Sequence, residues 1–176
     1  DPAKVWNLWY DLGQDLGGRQ PNPGHRALAR LEELGLLKAV ITQNIDNLHQ
    51  AAGSREVIEY HGNARRQVCL RCGQAGPLDF SKRSDMAPRC PCGGLIKPDI
   101  VMFGELIPPE ALERSAQWVA DCDVMLVVGT SAQVFPAAQL PYTAKEAGAV
   151  VIEANVEATD FTRTVTDIFL HGPSGT

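Results

Sequence analysis

The 176-residue sequence lacks a long apolar run, an excess of positive charge, an internal repeat and a low-complexity segment. Nothing in it approaches the ~18 consecutive apolar residues that would indicate a membrane-spanning helix. The net charge of −5 and a sequence pI near 5.3 argue against nucleic acid as the main partner. With 44% hydrophobic and 21% charged residues, the composition is that of a globular protein, and small molecules or protein surfaces are the better candidate partners.

The five cysteines do not form the dense, even-numbered set of a disulfide framework. Cys69 and Cys72 form a C-x-x-C, Cys90 and Cys92 form a C-x-C, and 17 residues separate the two pairs. Four thiolates brought together fill a closed tetrahedral zinc site, which is structural rather than catalytic. The spacing therefore predicts bound Zn²⁺, and the alternative is a set of reduced core cysteines. Reduced thiols and the lack of a recognisable signal peptide favour a cytoplasmic protein. Cys122 stands apart and is expected in the core.

Helical and strand patterns alternate along the chain. Helical spacing predicts helices over residues 1–16, 22–35, 46–53, 108–122 and 135–148, and apolar runs predict strands over 38–42, 56–60, 123–131, 149–157 and 167–172. This order predicts an α/β fold, a Rossmann-like and mainly parallel sheet with helices on both faces. Residues 123–131 are expected to form the most buried strand.

The apolar patterns of the first two helices predict which side chains face inward. The first helix has apolar residues at helical spacing, namely Val5, Leu8, Trp9, Leu12 and Leu16. The second has Leu28, Leu31 and Leu34 on one side, with Asn22 as its cap and Gly35 as its terminator.

Residues 65–98 differ in character from the rest of the chain. They are basic, carry the paired cysteines, are rich in Gly and Pro, and show little periodic pattern. We interpret them as a small zinc-binding module inserted into a discontinuous nucleotide-binding domain of residues 1–64 and 99–176.

Polar residues crowd at the predicted carboxyl ends of three strands, in "TQNIDNLHQ", "VVGTS" and "EANVE". In open parallel sheets, ligands bind beyond these strand ends. Gly129 lets a ligand approach the backbone, and Thr130 and Ser131 offer hydroxyl and N–H groups to phosphate or ribose oxygens. Asn155 and Glu157 follow the next strand at the equivalent place. Each segment alone also makes an ordinary turn, but three at one sheet edge favour a ligand site.

A further signal is "YHGN", in which His61 precedes Gly62 at the end of a predicted strand. Histidine is the side chain best suited to act as a general base near neutral pH. A structural histidine is the alternative, and it is the interpretation kept for His25, His49 and His171.

Taken together, these motifs resemble the sirtuins, which are NAD-dependent protein deacylases. The resemblance rests on "ITQNIDNLHQAAGSREVIEYHGN", the cysteine pairs, "GGLIKPDIVMFGE", "VVGTSAQVFPAAQLP" and "VIEAN", in the order of the family and over nearly the whole chain. The overall pattern is similar to bacterial and archaeal members.

The resemblance implies a role for each matching residue. The nicotinamide and its ribose would contact Gln43, Asn44, Ile45 and Asp46, with Asn44 and Asp46 joining the general base His61 in catalysis. The adenosine half of NAD would contact Gly129, Thr130, Ser131, Asn155, Val156, Glu157 and Ser174. Val101 and Phe103 would flank the acylated lysine, and residues 99–105 would pair with the substrate backbone. The zinc ligands would be Cys69, Cys72, Cys90 and Cys92.

The implied activity is NAD-dependent protein-lysine deacylation, deacetylation by default, in which the acyl group passes to ADP-ribose and nicotinamide is released. The implied partners are NAD and an acylated-lysine protein or peptide, with no membrane and with nucleic acid unexpected.

Three alternatives stay open at this point. Sirtuins open with a glycine-rich "GAG" loop and close with a further helix, neither of which is matched, so a truncated sirtuin remnant would bind zinc and NAD or acyl-peptide without turnover. ADP-ribosyl transfer would use the same pocket. A zinc-ribbon nucleic-acid binder would rest on the basic residues of the module, which are Arg65, Arg66, Arg71, Lys82, Arg83 and Arg89.

Overall fold

Parallel strands and helices alternate along the chain in a computed structural model that describes residues 1–78 and 86–175. Lys82 and Arg83, two members of the basic set, lie outside the described residues. The helices are α1 (Pro2–Gly17), α2 (Pro23–Glu33), α3 (Leu48–Ala52), α4 (Pro109–Ala120), α5 (Leu140–Glu146) and α6 (Asp160–Thr164). The strands are β1 (Val40–Thr42), β2 (Val57–Glu59), β3 (Gly62–Cys69), β4 (Ala75–Pro77), β5 (Ile96–Ile100), β6 (Val124–Val128), β7 (Val150–Asn155) and β8 (Ile168–His171).

The described strands form three sheets. β1 pairs with β2 in parallel, and β6, β7 and β8 form a second parallel sheet with β7 in the centre. The third sheet is antiparallel, in the order β4-β3-β5. The predicted α/β class with parallel sheets is confirmed. Helix α6 and the three antiparallel strands were not predicted, because short elements with mixed polar and apolar residues carry little periodic signal.

Helix starts follow the predicted capping chemistry. The Asp1 carboxylate accepts from the amide of Ala3 at 3.1 Å, and the Asn22 side chain accepts from the amide of His25 at 3.0 Å. Proline occupies the first turn of α1, α2, α4 and α5. Pro141 thus shortens the predicted fifth helix, which begins at Leu140 after a separate turn of 3-10 helix at Ala137–Gln139.

The prediction for the inner face of α1 is wrong. Trp6 and Tyr10 are its buried aromatic residues, whereas Val5 and Leu8 are 47% and 67% exposed. The Trp6 indole donates to the carbonyl oxygen of Ile96 at 2.9 Å, so this bond turns the aromatic side of α1 toward β5. On α2, Leu34 is likewise exposed, since it lies at the C-terminal cap rather than on the inner face.

The expectation that β6 is the most buried strand is also wrong. Val127 is buried, but Val124, Leu126 and Val128 point to the other side of the sheet and are partly exposed. Side chains alternate along a strand, so one apolar run has two faces, and within the described residues only one of them is covered. That covered face packs in a core cluster with Val151 and Phe161.

Two further clusters join the parallel sheets to their helices. One joins Ile58 and Tyr60 to Ile107 and Ala111. The other surrounds Ala144 and includes Ile41 from β1 and Met125 from β6. The polar loops begin at the carboxyl ends of β1, β6 and β7. No helix within the described ranges is long and apolar enough to cross a membrane.

Candidate functional site

The loop after β1 is held in shape by its own polar side chains. The Thr42 hydroxyl accepts from the amide of Asn44 at 3.1 Å, and the Asp46 carboxylate accepts from the amide of Leu48 at 2.9 Å. Asp46 therefore caps the start of α3, although Asn47 occupies the cap position with a left-handed φ of 65°. Asn44 is exposed, while Gln43, Ile45 and Asp46 are half-buried.

His61 contacts this loop directly. Its Nδ1 lies 3.2 Å from the carbonyl oxygen of Gln43, and the amide of Ala64 donates to the carbonyl of Ile45 at 2.9 Å. A carbonyl oxygen only accepts, so in this contact Nδ1 carries the proton and Nε2 keeps the free lone pair. The structure thus brings His61 together with the loop of residues 43–46.

A buried amide supports the loop from behind. Asn63, only 3% exposed, donates to the Asn47 side chain at 2.9 Å and to the Glu59 carboxylate, and it accepts from the amide of Arg65 at 2.8 Å. Glu59 also accepts from Gln50 at 2.6 Å. The sequence patterns did not single out Asn63. Its place directly after His61 and Gly62 was the available signal.

His49 plays a different part. It is half-buried on α3, and its ring centroid lies 4.8 Å from that of His25. Burial is the main cause that lowers the pKa of His49, His25 lowers it further, and Asp46 opposes both. Nδ1 of His49 is buried without a hydrogen-bond partner. These surroundings are those of a structural histidine.

The loops after β6 and β7 enclose a cleft of about 410 Å³, within the size range of ligand pockets. Asn155 donates from its side chain to the carbonyl of Thr130 at 2.8 Å, which joins the two loops. Six residues expected from the sequence line this cleft, namely Gly129, Thr130, Ser131, Asn155, Val156 and Glu157. Sequence reasoning missed other lining residues, including Gln133, Thr159, Asp160 and Arg163, because they belong to a short helix and to turns without a recognisable motif.

Ser174 lies at the edge of this region. A Cβ added to Gly129, whose φ is 60°, would come within 4.0 Å of the Ser174 hydroxyl oxygen. The backbone of Ser174 also lies against Gly24 at the start of α2. The residues that line the cleft do not include residues 43–46 or His61, so the polar loops form two groups.

The loop after β5 lies beside His61. The amide of Val101 donates to the carbonyl of His61 at 3.0 Å, and Val101 packs against the cluster that contains Tyr60. Phe103, in contrast, is fully exposed.

The ion pair between Lys97 and Glu105 helps to hold the shape of that loop. The Glu105 carboxylate binds the Lys97 ammonium and accepts from the amide of Met102 at 2.9 Å. Burial acts to raise the pKa of Glu105, but the bond from Lys97 and the Met102 amide outweigh it and lower the pKa.

The four paired cysteines meet at one end of the antiparallel sheet. Their sulfur atoms all lie within 4.8 Å of one another, with Cys69 and Cys92 at 3.6 Å and Cys72 and Cys90 at 3.7 Å. The amides of Arg71 and Gly94 point at the sulfurs of Cys69 and Cys92, both at 3.4 Å. A Cβ on Gly94 would come within 2.7 Å of the Cys69 sulfur, so the turn needs a glycine.

This donor set fits a zinc ion. The amides of Cys72 and Arg71 lower the pKa of the Cys69 thiol to about 6. For Cys92 the amide of Gly94 acts in the same direction, but burial and the other three thiols raise its pKa to about 12. Four thiolates so close repel one another unless a cation lies between them, and a closed sulfur tetrahedron is what Zn²⁺ prefers.

The arginines around the cysteines serve the fold. Arg71 donates to the carbonyl of Cys92 at 2.8 Å, Arg89 donates to the carbonyl of Gly93 at 3.0 Å, and Arg66 pairs with Glu59 and Asp99. These three side chains are therefore bonded within the protein. Cys122, half-buried, packs at the edge of the cluster around Ala144, and burial raises its pKa, as expected for a core thiol.

Comparison with known proteins agrees with this geometry. Residues 1–136 match the Sir2 family. The NAD-dependent protein deacylase of Thermococcus sibiricus is 46% identical over 183 residues, covering 99% of this chain and 71% of the relative. A Sir2 homologue crystallised with NAD superposes with a TM-score of 0.95 at 42% identity, covering 99% of this chain and 68% of the other. A Sir2 complex with a p53 peptide and NAD⁺ gives a TM-score of 0.85 at 38% identity, covering 91% and 68%. The chain belongs to the Sir2 family.

Proposed function

We propose that this chain is an NAD-dependent protein-lysine deacylase. The observation that carries the proposal is the contact between His61 Nδ1 and the Gln43 carbonyl, since it holds a histidine with a free Nε2 against the polar loop of residues 43–46. The alternative of a binding remnant without turnover has less support, because relatives that are 46% and 48% identical to this chain, over 99% of its length, are named NAD-dependent protein deacylases.

The cleft between the loops after β6 and β7 suits the adenosine half of NAD. Its wall offers the exposed Glu157 carboxylate and the hydroxyls of Thr130 and Ser131, and Gly129 leaves room for close approach to the backbone. Asn155 and Val156 complete this wall, with Ser174 beside Gly129. Bound there, NAD supplies a nicotinamide leaving group and a ribose that accepts the acyl group.

The catalytic roles follow from the loop geometry. His61 accepts a ribose hydroxyl proton at Nε2, and Nδ1 donates to Gln43 throughout, so the ring keeps its orientation. Asn44 and Asp46, with Gln43 and Ile45, orient the nicotinamide and its ribose. The loop backbone that carries them is held by the bonds of Thr42 and Asp46, and their amide and carboxylate oxygens would stabilise positive charge that develops at the ribose carbon.

The acylated lysine enters beside the loop of residues 99–105. Val101 lies next to His61, and the exposed Phe103 is free to cover the aliphatic part of a lysine. In this proposal an extended peptide adds alongside this loop. These contacts support an acylated-lysine protein or peptide as the substrate, with acetyl as the default acyl group.

Zinc bound by Cys69, Cys72, Cys90 and Cys92 has a structural role in this proposal, because all four positions of the tetrahedron are filled by sulfur. We keep the division into a zinc-binding module of residues 65–98 and a nucleotide-binding domain of residues 1–64 and 99–176. A cytoplasmic location fits the reduced thiols that such a site requires.

The test is incubation of the 176-residue chain with NAD and an acetyl-lysine peptide, followed by mass spectrometry. O-acetyl-ADP-ribose should form, and His61→Ala should abolish it without changing the zinc content. The matched control is His171→Ala, since His171 is exposed and, among the described residues, its ring contacts the carbonyl of Val156 at 2.9 Å and Phe169, not the loop of residues 43–46. No product from the unaltered chain would contradict the proposal.

A further inference from the structure

Glu153, in the middle of β7, has a charged side chain that is 1% exposed and has no role in the chemistry described above. Its Oε1 accepts from the hydroxyl of Thr159 at 2.6 Å. Its Oε2 accepts from the hydroxyls of Thr162 at 2.7 Å and Thr166 at 2.8 Å. Within the described part of the chain it forms no ion pair, so three hydroxyl groups replace the water that its charge has lost.

The carboxylate determines the direction of a chain of hydrogen bonds. A carboxylate only accepts, so each hydroxyl must point its proton at Glu153 and its lone pairs elsewhere. The Thr159 oxygen then accepts from the amide of Phe161 at 3.1 Å, and the Thr162 oxygen accepts from the amide of Thr159 at 2.8 Å. The first is an N-cap bond and the second is half of the capping box, and both belong to the start of α6.

The segment fixed in this way is a wall of the cleft. Residues 155–160 line it, and the segment is held near both ends. At its start Asn155 donates to the carbonyl of Thr130 at 2.8 Å, and at its end Thr159 donates to Glu153. Glu153 itself does not line the cleft, because its side chain lies buried behind the segment.

We propose that Glu153 is a positioning residue for dinucleotide binding: through its three threonine hydroxyls it sets the segment of residues 155–159 against the adenosine half of NAD. This rests on the proposed function, which places that half of NAD in the cleft. Glu153 touches neither the ligand nor the loop that holds His61. Its loss weakens the binding of NAD and leaves the chemical step at His61 largely unchanged.

The first variant is Glu153→Gln, which keeps the side-chain volume and replaces one acceptor oxygen by an NH₂ group. That group cannot accept the proton of the threonine facing it, so the capping box loses its fixed direction. Calorimetry should show the Kd for NAD rising about tenfold, the effect of one hydrogen bond to a charged group. In turnover assays the KM for NAD should rise in parallel, with kcat changing less than about twofold, as expected when only binding is affected.

The matched control is Thr164→Val on the same helix. The Thr164 hydroxyl bonds the carbonyl of Asp160 at 2.7 Å and the hydroxyl of Tyr142 at 2.9 Å, but not Glu153. A helix that is merely loosened would raise the Kd in both variants. The proposal expects a rise in Glu153→Gln alone. Equal Kd values for the two variants, or a lower melting temperature of Glu153→Gln with an unchanged Kd, would overturn it.

A second variant covers the case in which Glu153→Gln fails to fold. Thr166→Val removes one donor to Oε2 without altering a cleft residue. The expected Kd for NAD rises about threefold, less than for loss of the carboxylate, and an unchanged Kd would refute the proposal.

The proposal and the proposed function fail in different ways. If the unaltered chain binds NAD but yields no O-acetyl-ADP-ribose, the proposed function is wrong, and the Kd values of the variants still decide the role of Glu153. If the unaltered chain makes product and the variants keep its Kd and KM, only the role of Glu153 is wrong. A chain that binds no NAD at all would refute both.

Discussion

Gly62, directly after His61, occupies a position where a single methyl group should be costly. Its φ is 79°, and a Cβ there would overlap the carbonyl oxygen of Asp99 and lie 2.9 Å from that carbonyl carbon and 3.1 Å from the Cα of Ile100. All three atoms belong to the backbone of the paired strand and cannot rotate away. Gly62→Ala should therefore force β3 and β5 apart next to the candidate catalytic histidine.

The loss of stability in Gly62→Ala has two sources. The left-handed conformation costs an alanine ~1–2 kcal/mol. Parting the strands weakens the pairing of Gly62 with Ile100 and the bond from Val101 to His61, two or three backbone hydrogen bonds at ~1 kcal/mol each. The free energy of unfolding should fall by about 3–5 kcal/mol, which lowers the melting temperature by roughly 10 °C in a chain of this size.

Gly35→Ala is the matched control for this change. Gly35 has a similar φ of 72°, but an added Cβ would meet no atom within 4 Å. This variant has only the conformational cost, about 1–2 kcal/mol or roughly 4 °C. Thermal unfolding followed by circular dichroism measures both. Equal losses in the two variants would refute the reasoning, because the overlap with Asp99 would then contribute nothing.

Three further outcomes are expected. Because the pKa of His49 is lowered on folding, the folded protein favours the neutral ring, and this contribution to stability is complete above about pH 6.5 and is lost as the pH falls toward the lowered pKa. The free energy of unfolding measured in urea should therefore decrease from pH 7.5 to pH 5.5, and His49→Gln should make this decrease smaller. Lys97→Met removes the partner of Glu105 and should raise the KM for an acetyl-lysine peptide severalfold while the Kd for NAD stays constant; a rise in both would contradict a role confined to the loop of residues 99–105. Cys72→Ser should bring zinc well below one ion per chain and lower the melting temperature, whereas Cys122→Ser should retain the metal, and equal loss from both would contradict the four-sulfur site.

The sequence predicted those parts of the fold that have a strong local signal. The caps of α2, the parallel strands and the four clustered cysteines were predicted correctly because proline, asparagine, apolar runs and cysteine spacing are local features. The inner face of α1 was predicted wrongly because helical spacing alone allowed more than one face. The indole bond from Trp6 to Ile96, 90 residues away, determines which face is buried.

The candidate site shows the same division. His61 and the residues of the loop after β1 were recognisable as motifs. The sequence predicted that they lie near each other, but not the contact between His61 and the Gln43 carbonyl. Asn63 and Glu153 could not be identified from the sequence, since their side chains form hydrogen bonds to residues outside their own strands. A buried polar group gains its importance from those partners, and periodicity does not reveal them.

The measurement that tests the central claim most directly is nicotinamide release as a function of the peptide present. With NAD and an acetyl-lysine peptide, the chain should release one nicotinamide for each lysine deacetylated and each O-acetyl-ADP-ribose formed. With the same peptide unacetylated, release should fall to background. Release at an equal rate without the acetyl group, or ADP-ribose attached to the peptide, would contradict deacylation as the function of this site.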